Sequence, residues 1–113
     1  MRKAAVAWLT VAGRPPYPVW CHWIDDALYV VSGADEQTAP GLAQAGTVTV
    51  TARGDHRGAI VAWTASVTRV PAGTDAWAAV VPVLAAKRLN SAPAAELARR
   101  WATECVVSRL TPR

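Results

Sequence analysis

The sequence has no apolar run approaching the ~20 residues that span a bilayer as a helix, so no membrane partner is expected. It has two cysteines, Cys21 and Cys105, and two histidines, His22 and His56, in 113 residues. There is no CxxC, no cluster of thiols and imidazoles at zinc spacing, and no acidic group at ligand spacing to the histidines, so no metal site is expected. Both cysteines sit in apolar runs. They read as buried, reduced thiols, which suits a cytoplasmic location. Charge is also sparse: 18% of residues, with a net of +4. The basic residues are scattered over different segments, among them Arg14, Arg53, Arg69, Arg88 and Arg109. A nucleic-acid binder gathers such residues on one face within a recognisable motif, and none is present, so no nucleic-acid partner is expected.

What the chain does have is apolar substance, 52% of its residues, in a length that predicts one domain over residues 1–113. A core of that size is modest, and pairing with a second copy is a common source of extra stability. The opening "MRKAAVAWLTVAG" has a basic tip and an apolar stretch, like a short signal peptide. The Trp and Thr inside it, and the turn "AGRPP" after it, favour a first strand over residues 5–11. A second strand starts at Pro16–Pro18 and runs through Ile24. Asp25–Asp26 turns into "ALYVVS", a third strand.

The segment "GADEQTAPGLAQAG" reads as a loop with one helical turn. "TVTVTAR" alternates with period two, placing Val48, Val50 and Ala52 on one face. "GDHRG" is a hairpin connection into "AIVAWTASVTRV", the longest strand. From Thr74 the period becomes helical, with Trp77, Val80, Val81 and Leu84 on one stripe, Thr74 or Asp75 as N-cap, and a kink expected at Pro82. A second helix follows Pro93 and carries Leu97 and Trp101. "ECVVSRL" closes as a strand. Five strands, a helical pair and one strand predict a closed antiparallel barrel, mostly β with α.

The stretch "PVWCHW" sets a thiol beside an imidazole between two indoles. Neighbours on a strand point to opposite faces, so Cys21 and His22 cannot act as a nucleophile and its base. Val19, Cys21 and Trp23 share a face that reads as core. Pro18, Trp20 and His22 share the other. That second face suits a subunit interface, the edge of a pocket for a flat aromatic ligand, or plain packing around a structural histidine.

The segment "VAWLTVAGRPPYPVWCHWIDDALYVVSG" resembles the first hairpins of the pyridoxamine 5′-phosphate oxidase-like split-barrel family. The tail "DAWAAVVPVLAAKRLN…RWATECVVSRL" resembles a branch of it found in high-GC actinobacteria. The resemblance implies a six-stranded antiparallel split β-barrel, the FMN-binding split barrel, with one or two helices before the last strand. It also implies a homodimer whose clefts hold FMN, the deazaflavin cofactor, or occasionally haem. Characterised members are oxidoreductases that pass hydride between flavin and substrate. On this reading Trp20, His22, Ser32, Gln37, Thr38 and Arg53 would line the cofactor, and no catalytic residue can be named.

One departure from the family stands out. Cofactor-binding members commonly place Lys or Arg, then Asn-Leu, after the third strand, where the cation meets the cofactor phosphate. Here Leu42 keeps the leucine, Gly41 stands for the Asn, and no Lys or Arg occurs from Ser32 to Ala52. Asp35 and Glu36 add negative charge instead. Arg53 or Arg57 would have to fold over to compensate. The alternative function is therefore a non-catalytic split-barrel homodimer that has lost the phosphate clamp and binds another small ligand or none. A basic, nucleic-acid-binding small barrel is a third reading, which the two late helices and the dispersed arginines oppose.

Overall fold

The computed structural model describes residues 5–33, 36–53, 60–87 and 93–113. The strands are β1 (Ala5–Thr10), β2 (Tyr17–Ile24), β3 (Ala27–Gly33), β4 (Thr47–Arg53), β5 (Ile60–Arg69) and β6 (Cys105–Pro112). Helices α1 (Asp75–Lys87) and α2 (Ala94–Glu104) separate β5 from β6, and a 3-10 turn spans Leu42–Gln44. Every ladder is antiparallel, and the strands close in the order β1-β2-β3-β6-β5-β4. This is the expected six-stranded barrel, mostly β, with two helices before the last strand. The expected "GDHRG" connection, with His56 and Arg57, lies outside the described residues.

Alternation decides what fills the barrel. Leu9, Val19, Cys21, Val30, Val50 and Leu110 meet inside it. Trp23 packs against Trp63 there, with ring centroids 5.6 Å apart. The opposite face of β2, β3 and β6 is apolar too. It carries Ala27, Tyr29, Val31 and Val107, over which α1 and α2 lay Val81, Leu84, Leu97 and Trp101. Leu97 and Trp101 are fully buried, one turn apart as their spacing requires. The barrel thus has two apolar layers, one inside and one beneath the helices.

Local chemistry fixes the ends of these elements. Asp25 takes φ 54, which an aspartate tolerates, in the two-residue turn that sets Ile24 opposite Ala27. Thr74 caps α1: its Oγ1 accepts from the Trp77 N–H at 3.2 Å and donates to the Pro71 carbonyl at 2.7 Å. Helix α1 runs on through Pro82, whose ring stands on the exposed side. Gly33, at φ 138, ends β3 where it meets the start of β6. A Cβ there would come within 2.6 Å of the Glu104 carbonyl oxygen and 2.8 Å of the Cys105 Cα. Only glycine lets the two backbones approach so closely.

Candidate functional site

Strand β2 changes partner halfway along. From Tyr17 to Cys21 it pairs with β1, and from His22 to Ile24 with β3. The β2–β3 ladder, continued upward, would set Trp20 opposite Val31, but the strands part before reaching it. The amide of Gln37 fills the opening. Its Oε1 accepts from the Trp20 N–H at 2.7 Å, and its Nε2 donates to the carbonyls of Trp20 at 2.8 Å and Val31 at 3.1 Å. A side-chain amide has the donor and acceptor of a peptide group, so Gln37 serves as a missing rung of the sheet. A parallel bridge from Ser32 to Gln37 aligns the loop for this.

The residue before it points the other way. The Glu36 side chain is fully buried, and its Oε2 accepts from Arg100 Nη2 and Trp101 Nε1, both at 3.1 Å. The loop after β3 is therefore tied to the β2–β3 opening by Gln37 and to α2 by Glu36. Sequence reasoning assigned Glu36 only as unwanted negative charge. Its partners lie more than 60 residues away, and no local signal pairs them.

Trp20 and His22 lie side by side on the outer face of β2, their rings 5.9 Å apart and edge to face. His22 is 3% exposed. The chain's own helix layer covers this part of the sheet, with Trp20 and Ile24 packed against it. Burial pushes the His22 imidazole below its ordinary range, and the Lys87 charge pushes the same way. His22 is thus a neutral, sheltered imidazole at pH 7. On the inner face, burial pushes the Cys21 thiol up to about 12. It is a packing residue and no nucleophile at neutral pH.

Ser32 and Thr38 meet in a shallow hollow of about 280 Å³, which Pro40, Glu104 and Val106 also line. Five of the six expected site residues therefore fall in one region: Trp20, His22 and Gln37 at the strand opening, and Ser32 and Thr38 just beyond it. Arg53 ends β4, and its side chain lies outside the described residues.

A flavin's phosphate can be tested against this region. Ser32 and Thr38 offer hydroxyls, but Glu104 shares their hollow. The Gln37 amide is committed to backbone, and no cation lies in the described part of the loop. A phosphate carrying close to two negative charges is repelled by such a set. The residues that line the Ser32–Thr38 hollow do not fit a phosphate clamp, and no redox step follows from them.

No protein-family model matches the sequence, and no curated protein matches it. Solved structures do match by shape. HutZ from Vibrio cholerae, described as a haem storage protein, superposes with a TM-score of 0.65 at 15% identity, over 99% of this chain and 82% of that one. A provisionally assigned pyridoxamine 5′-phosphate oxidase from Listeria innocua gives 0.59 at 14%, over 99% and 85%. A histidine-to-alanine variant of HupZ from Group A Streptococcus gives 0.57 at 14%, over 99% and 86%. The chain has the split β-barrel fold of pyridoxamine 5′-phosphate oxidase-like proteins, a fold on which haem storage also occurs.

Proposed function

We propose that this protein is a homodimeric split barrel that holds a flat aromatic ligand, of the flavin or haem kind, at the seam between two copies. The observation that carries this reading is the outer face of β1, β4 and β5, which the helices leave uncovered. Val6 is 64% exposed, Trp8 48% and Ile60 73%. They border a hollow of about 260 Å³ with Thr51 and Ala52. Exposed apolar residues grouped in this way mark an interaction surface more often than solvated surface. Register places Val6 opposite Trp20 and Trp8 opposite Pro18. Both indoles therefore stand on the outer side of neighbouring strands, one exposed and one half-buried. Indoles at the edge of a seam offer a planar guest stacking area.

A phosphate-clamped flavin or deazaflavin oxidoreductase is the weaker form of this reading, because Glu36 and Gln37 are spent on the fold and Glu104 stands beside Ser32 and Thr38. A binding role, with the ligand's ring system gripped and its charged end left near solvent, asks less of that loop. Proton transfer by His22 has no support either, since the imidazole is buried and neutral.

The test is direct. Purified protein is titrated with FMN, the deazaflavin cofactor and haemin, and tryptophan fluorescence and visible absorption are followed. Micromolar quenching by one of the three, weakened in Trp20→Ala, is expected. Tight FMN binding that depends on Ser32 and Thr38 would restore the oxidoreductase reading. Absence of binding to all three at 100-fold higher concentration would leave a ligand-free dimer.

A further inference from the structure

At the end of the barrel where β1 turns into β2, Arg14 stands over the loop that follows β3. Its backbone N–H donates to the Val11 carbonyl at 3.0 Å, and Pro15–Pro16 restrain the chain after it. Its side chain lies on Gly41. A Cβ on Gly41 would come within 2.7 Å of Arg14 Nε and 3.2 Å of its Cδ. Gly41 also has φ 78, so glycine is required there twice over: for the left-handed backbone and for the guanidinium laid against it. The Tyr17 hydroxyl donates to the Pro40 carbonyl at 3.0 Å and holds the two walls together.

Beside this guanidinium is an open hollow of about 540 Å³, lined by Val11, Arg14, Gly41, Gln44, Gly46 and Thr47, among others. No acidic residue lines it. Among the described residues the one ion pair is Glu36 with Arg100, so Arg14 has no carboxylate partner there. Glu36, the acid of the described loop, is turned away into α2. A Cβ on Gly46 would meet nothing within 4 Å, so the space beside that backbone is open. Gln44 and Thr47 supply polar groups, and Val11 and Ala45 an apolar floor.

We propose that this hollow binds a small organic anion, a carboxylate or phosphate monoester, with Arg14 as its counter-ion and Gln44 and Thr47 as hydrogen-bonding partners. A guanidinium prefers such planar or tetrahedral oxyanions because its fork of N–H groups meets two oxygens at once. The site is separate from the Trp8–Trp20 seam and does not depend on ligand binding there. It also supplies a cation to the loop after β3, which has none of its own between Ser32 and Ala52, from a turn distant in sequence.

Two-dimensional NMR on the full chain tests the proposal. Inorganic phosphate and benzoate are titrated separately, with chloride at matched ionic strength as control. The expected result is a saturable shift of the Arg14 Nε–H and the Gly46 and Thr47 amides with one of the two anions. Affinity should fall at least tenfold in Arg14→Gln and about threefold in Thr47→Val, with the remaining spectrum unchanged. Shifts that fail to saturate, that chloride reproduces, or that persist in Arg14→Gln overturn it. Loss in Arg14→Gln with no change in Thr47→Val and Gln44→Ala also overturns it, since that describes a lone surface arginine and no pocket.

Discussion

At the scale of single residues, Gln37 and His22 carry the most consequence. Gln37 satisfies three backbone groups where β2 and β3 part. In Gln37→Ala those three hydrogen bonds are lost at a part-buried site, and each such loss costs about 1–3 kcal/mol. The urea midpoint should fall accordingly, and Trp20 emission should shift as its backbone is released. Gln37→Glu should be no rescue, because a carboxylate cannot donate to the two carbonyls that Nε2 now serves. A variant as stable as the parent would show that the opening closes unaided.

His22 gives a pH dependence. Its folded pKa lies below its unfolded value of about 6.5. The unfolded chain therefore binds the proton first, and stability falls as pH drops below about 6.5 toward the folded pKa. Above that window the neutral ring is fully compatible with its site. The loss of melting temperature between pH 7.5 and pH 5 should be smaller in His22→Gln than in the parent. Equal losses would move the acid sensitivity to other groups.

At the scale of elements, period told strand from helix along nearly all of the chain. The clean alternation of "TVTVTAR" became β4, and the spacing of Leu97 and Trp101 became the buried stripe of α2. The Thr74 cap was legible because a hydroxyl before a helical run has one obvious use. The loop after β3 was less legible. Composition marked it as a turn, but Gln37 is bound to β2 and β3 and Glu36 to α2. Gly33 belongs to this scale, since it sets how closely β3 and β6 can begin and end together. Gly33→Ala combines a positive φ with contact against two backbone atoms and should cost about 2–4 kcal/mol. Thermal unfolding measures it, and a shift within error would mean that the strand ends relax apart.

At the scale of the whole molecule, the barrel has one helix-covered side and one bare side. The bare side carries Val6, Trp8 and Ile60. If two copies meet there, Trp8→Glu places a charge at an apolar seam and should convert a dimer to a monomer in sedimentation at micromolar concentration. A parent that sediments as a monomer, or a Trp8→Glu variant that remains a dimer, would move the seam elsewhere. The shape matches to HutZ and its counterparts concern the barrel, and at 14–15% identity they concern nothing finer.

The sequence by itself determined the strands, the two helices, their order and which face of each is apolar, because side-chain periodicity is a local property of the backbone. It also excluded Cys21 and His22 as a working pair, by parity alone. Tertiary structure decided what covers each face. The outer face of β2, open to several readings as sequence, lies under the chain's own helices around His22 and is exposed at Pro18, opposite Trp8 of β1. It also decided that Gln37 bridges two strands, that Glu36 turns to α2, and that Arg14 reaches Gly41. Those pairings depend on how the barrel closes, and closure joins residues whose separation along the chain leaves no periodic trace.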